Sequence, residues 1–173
     1  NDRLLWLSTN EGLFRMNPKT QSFQRFLKED GIAADEFNTF AYYKDENGRL
    51  YFGGIDGATA FYPRAVRLNP EPPPLALTEF RSLNTVTPLN PPISVRKRLK
   101  LSHKTGMYSF GFAALDFSAP HRNRYRYKLE GLHDDWIETG ANERLATYTN
   151  LSPGNYTFRV QGANNHGVWN RDG

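Results

Sequence analysis

LLWLSTNEGLFRMNP, Leu4 to Pro18, lies over RLYFGGIDGATAFYP, Arg49 to Pro63, at a constant offset of 45 residues and without a gap. Leu5 meets Leu50, Trp6 meets Tyr51, Leu7 meets Phe52, Gly12 meets Gly57 and Pro18 meets Pro63. Each copy reads as an apolar and aromatic strand, a tight turn containing Gly, and a second strand that ends at Pro. Two unrelated hairpins in one sandwich would not be expected to match Gly and Pro behind matched aromatics. A period near 45 is that of β-propeller blades, which carry about four strands each and close in rings of about four to eight. Residues 1–68 supply at most about one and a half such blades, so the expectation is the end of a propeller within a longer chain.

Working outward, Asp45-Glu46-Asn47-Gly48 separates a predicted strand from Phe37 to Tyr43 from the next, starting at Arg49. It lacks the ligand spacing of a calcium loop and is read as a solvated turn. Asn69-Pro70-Glu71-Pro72-Pro73-Pro74 favours stiff polyproline II and reads as a linker. Beyond it, strands are predicted from Leu75 to Phe80, Arg98 to Ser102, Tyr108 to Phe117, Arg124 to Leu129, Trp136 to Glu138, Leu145 to Thr149 and Tyr156 to Ala163. Within Arg122 to Glu130, Arg122, Arg124, Arg126 and Lys128 alternate with Asn123, Tyr125, Tyr127 and Leu129, giving one wet and one buried face. In Ser109 to Phe117 the apolar phase switches, which predicts a bulge near Ala113-Ala114. Leu151-Ser152-Pro153-Gly154-Asn155-Tyr156 has the form of a tyrosine corner, with a buried Tyr156 ring bonded back to the turn. The fold class is therefore all-β. Residues 1–68 are incomplete propeller repeats, 69–74 a linker, and 75–173 an immunoglobulin- or fibronectin III-like sandwich expected to lack its last strand.

Composition agrees with this reading. Among 173 residues 14% are aromatic, with 14 Gly and 11 Pro, which favours packed short strands over disorder or a helical bundle. No apolar run approaches the roughly 20 residues that span a bilayer, and the first residues lack a signal-peptide pattern. The absence of cysteine removes disulfides, thiolate metal sites and a Cys nucleophile. Of the +4 formal charge, residues 1–73 contribute −1 and residues 74–173 contribute +5.

Three ordered motifs give the second half a family likeness. They are Y-x-Y-x-L-x-G…W (Tyr125, Tyr127, Leu129, Gly131, Trp136), A-T-Y-T-N-L-x-P-G-x-Y (Ala146 to Tyr156, with Tyr148, Pro153, Gly154 and Tyr156), and G-x-W (Gly167 to Trp169). These resemble the triple-tyrosine (Y-Y-Y) domain. The two hairpins, with Trp6, Gly12, Tyr51 and Gly57, resemble the propeller repeats that precede that domain in two-component regulators. The resemblance implies the periplasmic end of an inner-membrane sensor, with a transmembrane helix leading to a histidine kinase, hybrid kinase or diguanylate cyclase. It implies a homodimer in the full receptor, with a carbohydrate as a candidate ligand of the propeller.

The residues suggest no catalysis and no cofactor. His103, His121, His133 and His166 are spaced at 18, 12 and 33 residues, without the close pairs of a zinc site. No nucleophile elbow is present. Gly53-Gly54-Ile55-Asp56-Gly57 lacks the Lys of a phosphate loop, and Asp134, Asp135 and Glu138 read as a strand connection rather than a glycosidase pair. Arg96-Lys97-Arg98, Lys100 and Lys104 with the Arg122 to Lys128 stripe could meet phosphates, yet the alternation turns Tyr125 and Tyr127 inward, so no nucleic-acid role is expected. An extracellular carbohydrate-binding or adhesive module attached to an enzyme is the competing reading.

Overall fold

The computed structural model describes residues 4–102 and 104–172 and divides the chain into two compact units, 1–68 and 69–173. Unit 1 contains two three-stranded antiparallel sheets. The first joins β1 (Leu5–Thr9), β2 (Gly12–Asn17) and β3 (Ser22–Phe26), and the second joins β4 (Phe37–Lys44), β5 (Leu50–Gly54) and β6 (Gly57–Phe61). The repeat extends to register: Leu5 faces Met16 as Leu50 faces Phe61, and Thr9 faces Gly12 as Gly54 faces Gly57. Gly12 and Gly57 both have positive φ, 114° and 122°. At Gly12 a Cβ would sit 2.6 Å from the Phe26 carbonyl oxygen, so the turn and its close approach both require glycine. Leu13, Phe26, Phe37 and Phe52 form the core, with Trp6 packed edge-on to Phe61.

Unit 2 is a sandwich of two four-stranded sheets. One has the order β12 (Leu145–Thr149), β9 (Met107–Ala114), β7 (Leu75–Ser82), β8 (Thr85–Val86). The other has the order β11 (Ile137–Gly140), β10 (Arg124–Glu130), β13 (Thr157–Ala163), β14 (Trp169–Asn170). Phe80, Tyr108, Phe110 and Phe112 from one sheet meet Tyr125, Leu129 and Val160 from the other in a shared core. Tyr125 and Leu129 are buried and Arg124 is exposed, in keeping with the alternation of β10.

Three expectations change. Arg98 to Ser102 forms no strand; Leu99 and Leu101 pack against the core from a loop, so their alternation reflects side-chain packing without a ladder. The register shift lies on β7 between Leu77 and Glu79, opposite Phe112 and Gly111, and not at Ala113-Ala114. The apolar phase switches in sequence because the chain leaves the sheet after Ala114, leaving Leu115 and Phe117 exposed. Trp169–Asn170 does pair with β13, giving the sheet a short edge strand where none was expected.

Candidate functional site

Among the described residues no group of three His, Asp or Glu side chains could hold a metal ion. His103 lies outside the described residues. His121 is in a 3-10 turn, His133 lies against the Tyr148 ring, and the His166 ring accepts a backbone N–H. Asp45 closes its own turn: one carboxylate oxygen accepts from the Arg49 N–H at 2.8 Å and the other from the Tyr51 hydroxyl at 3.2 Å. Arg96 donates to the carbonyls of Asn90 and Pro91. Asp45, Arg96 and His166 thus hold local structure.

The basic face of β10 is packed and not simply solvated. The Arg126 guanidinium lies 5.1 Å from the Trp136 ring and 4.9 Å from the Trp169 ring, between two aromatic faces. Lys128 lies 5.2 Å from Trp136 and pairs with Glu130, which also receives Arg159 at 2.7 Å. Desolvation pushes the Glu130 pKa up, but the hydrogen bonds from Lys128 and Arg159 and their charges outweigh it and hold it below the usual value. Each cation–π contact contributes on the order of 0.5–2 kcal/mol, so Arg126 fastens Trp136 and the edge strand β14 to the sheet. Arg126 and Lys128 of the stripe are therefore occupied by ring and carboxylate partners, while Arg124 is exposed.

The signature tyrosines hold the sandwich. Tyr125 is 1% exposed, and its hydroxyl oxygen accepts the Ala114 N–H at 3.1 Å, linking the two sheets. The Tyr156 hydroxyl donates to the Ser152 carbonyl at 2.9 Å, closing the corner, although its ring is half-buried and not fully buried as expected. Gly131 lies beneath that ring, where a Cβ would come within 3.0 Å of the Asn155 carbonyl and 3.1 Å of Tyr156. Pro153 and Gly154 form the exposed turn of the corner. Tyr148 is buried and its hydroxyl has no hydrogen-bond partner among the described residues; burial pushes its pKa well above the ordinary value, and burial followed by the Glu143 charge raises that of Tyr127.

Two arrangements escaped the sequence reading. In unit 1 a cleft of about 1240 Å³ is lined by Leu5, Leu7, Phe40, Tyr42 and Tyr43 among others. β4 shifts register between Phe37 and Tyr42, and Phe40 is 86% exposed with φ 60°, a conformation costly for a bulky residue. In unit 2 the segment 69–74 is docked. The Asn164 side-chain amide, 1% exposed, donates to the carbonyls of Asn69 at 3.1 Å and Glu71 at 3.0 Å. Its oxygen accepts from His166 N–H and Val168 N–H, both at 3.0 Å. Asn69 N–H donates to His166 Nδ1 at 3.0 Å, Asn170 Nδ2 to the Pro73 carbonyl at 2.9 Å, and Leu115 N–H to the Pro74 carbonyl at 2.8 Å. The only available signal was a donor-poor proline run that needs side-chain donors from elsewhere.

Residues 116–173 match the family model of the Y_Y_Y domain. The chain is 35% identical to histidine kinase P4 of Formosa agariphila, over 96% of this chain and 12% of that protein. It superposes on the extracellular domain of the putative hybrid two-component system BT3049 of B. thetaiotaomicron with a TM-score of 0.79 and 26% identity, over 98% of this chain and 23% of that one. The extracellular domain of the putative one-component system BT4673 of the same organism gives a TM-score of 0.53 and 25% identity, over 97% and 22%. The chain thus spans about an eighth of its curated relative and under a quarter of these structures. Residues 116–173 are thus similar to the Y_Y_Y domain, and over nearly its whole length the chain is similar to part of a histidine kinase and to part of the extracellular domain of a putative hybrid two-component system.

Proposed function

We propose that the chain is a non-catalytic relay segment of a transmembrane two-component receptor, lying in the periplasm and carrying ligand sensing by a propeller to a cytoplasmic kinase or cyclase. The order of its parts supports this reading most: paired hairpins of period 45, a proline segment, then a Y_Y_Y sandwich, in a chain related to a histidine kinase. Unit 1 is read as the last blades of the propeller and unit 2 as the piece next to the membrane, working as a homodimer. A signal passed this way needs a difference in ligand affinity between two receptor arrangements, typically about 1 to 3 kcal/mol. Extending the gene tests the reading. A membrane-spanning helix within a few tens of residues after Gly173 supports it, and a hydrolase domain there refutes it.

The exposed aromatics of the unit 1 cleft, Phe40, Tyr42 and Tyr43, favour a second reading as a carbohydrate-binding or adhesive module. Isothermal titration of the chain with neutral oligosaccharides tests whether this cleft binds them, and a hydrolase domain after Gly173 in the gene would favour the module over the relay.

A further inference from the structure

We propose that Asn164 and Asn170 couple the segment that leads into the sandwich to the edge strand β14, so that a displacement of 69–73 reaches β14 directly and bypasses the core. The inference rests on the relay reading for its function, and on unit 2 alone for its geometry.

In Asn69-Pro70-Glu71-Pro72-Pro73-Pro74 only Asn69 and Glu71 have backbone N–H groups, so the segment cannot pair as a strand. Both donors are used internally to unit 2: Asn69 N–H goes to His166 Nδ1 and Glu71 N–H to Asn69 Oδ1 at 3.0 Å. Three of its carbonyls are met by side-chain amides from a single short stretch, and that of Pro74 by the Leu115 N–H. Asn164, at the turn after β13, takes those of Asn69 and Glu71, and Asn170, in β14, takes that of Pro73. Pro73 is itself buried.

The Asn164 amide has two donors and two acceptor sites, and all four are occupied. Its donors hold the incoming segment while its oxygen holds the β13–β14 turn, so one planar group fixes both. Aspartate would keep the acceptors and lose both donors. The strand held at the other side is only two residues long, pairing as Gly162 with Asn170 and Ala163 with Trp169. Such a short edge strand has few ladder bonds of its own; besides Asn164 N–H to the Val168 carbonyl and Gln161 Nε2 to the Arg171 carbonyl, it is held by Asn170 to Pro73 and by Trp169 against Arg126.

The test is amide hydrogen exchange on the 173-residue chain, comparing Asn164→Asp, Asn170→Ala, and a variant with Pro70, Pro72 and Pro73 replaced by Gly. The last variant alters no residue of β14. Coupling predicts that all three lower protection of the Val168, Trp169 and Asn170 amides by about tenfold, with β10 amides unchanged. Unchanged protection of these three amides in the proline variant overturns the proposal. If Asn164→Asp unfolds the chain, the other two variants decide. Failure of the relay reading is scored separately, by the gene downstream of Gly173, which this exchange experiment does not involve.

Discussion

The two units are built from similar strands but differ in how much of their apolar surface they cover themselves. Unit 1 folds two three-stranded sheets around four buried side chains and leaves Phe40, Tyr42 and Tyr43 each more than 60% exposed. Unit 2 closes two four-stranded sheets over a continuous core from Phe80 to Val160, with the Tyr125 hydroxyl bridging the sheets. The difference teaches that a repeat unit relies on neighbours for burial whereas a sandwich buries its own faces. An exposed ring in unit 1 and an exposed ring in unit 2 therefore carry different meanings.

Separating the units should have the largest effect. Expressed alone, 69–173 should give a dispersed amide NMR spectrum, and 1–68 should be disordered or aggregated; a dispersed spectrum from monomeric 1–68 would erase the contrast. Next in size, Phe112→Ala in the sandwich core should cost about 3–5 kcal/mol by urea unfolding, while Phe40→Ser, on the surface of unit 1, should stay within about 0.5 kcal/mol. A graded loss follows at high pH. Tyr127 and Tyr148 have folded pKa values raised above the ordinary one of about 10. Their contribution is full below pH about 10 and is lost as pH rises from there through the folded values, so unfolding midpoints should fall in alkaline buffer. Replacing Tyr148 with Phe should reduce that fall. The smallest effect separates two hydroxyls: Tyr156→Phe removes a bond to Ser152 and should cost about 1 kcal/mol, whereas Tyr148→Phe removes a buried hydroxyl without a partner and should be neutral or stabilising. Equal costs for the two would contradict the corner.

How far these features were legible follows from how local they are. The hairpins could be read because strand, turn and Gly recur at a fixed offset, and the register of β1 with β2 repeats in β5 with β6. The β10 alternation and the Tyr156 corner are likewise short-range patterns. The bulge, the loop from Arg98 to Ser102 and β14 were misplaced because each depends on which distant strand lies alongside. The Asn164 contacts span up to 95 residues in sequence, and a buried Asn in a turn looks like any other turn Asn. The Arg126 stripe was read as wet because its covering rings, Trp136 and Trp169, come from the neighbouring connection and from β14.

The central claim is that the sandwich, with segment 69–74 attached, is the self-sufficient part of the chain. Native-state hydrogen exchange of the whole chain across a urea series tests it most directly. Amides of β1 to β6 should open at lower free energy than those of β9, β10 and β13, and the Glu71 amide should follow the sandwich. A single opening isotherm for both units, or a Glu71 amide that opens with β1 to β6, would contradict it.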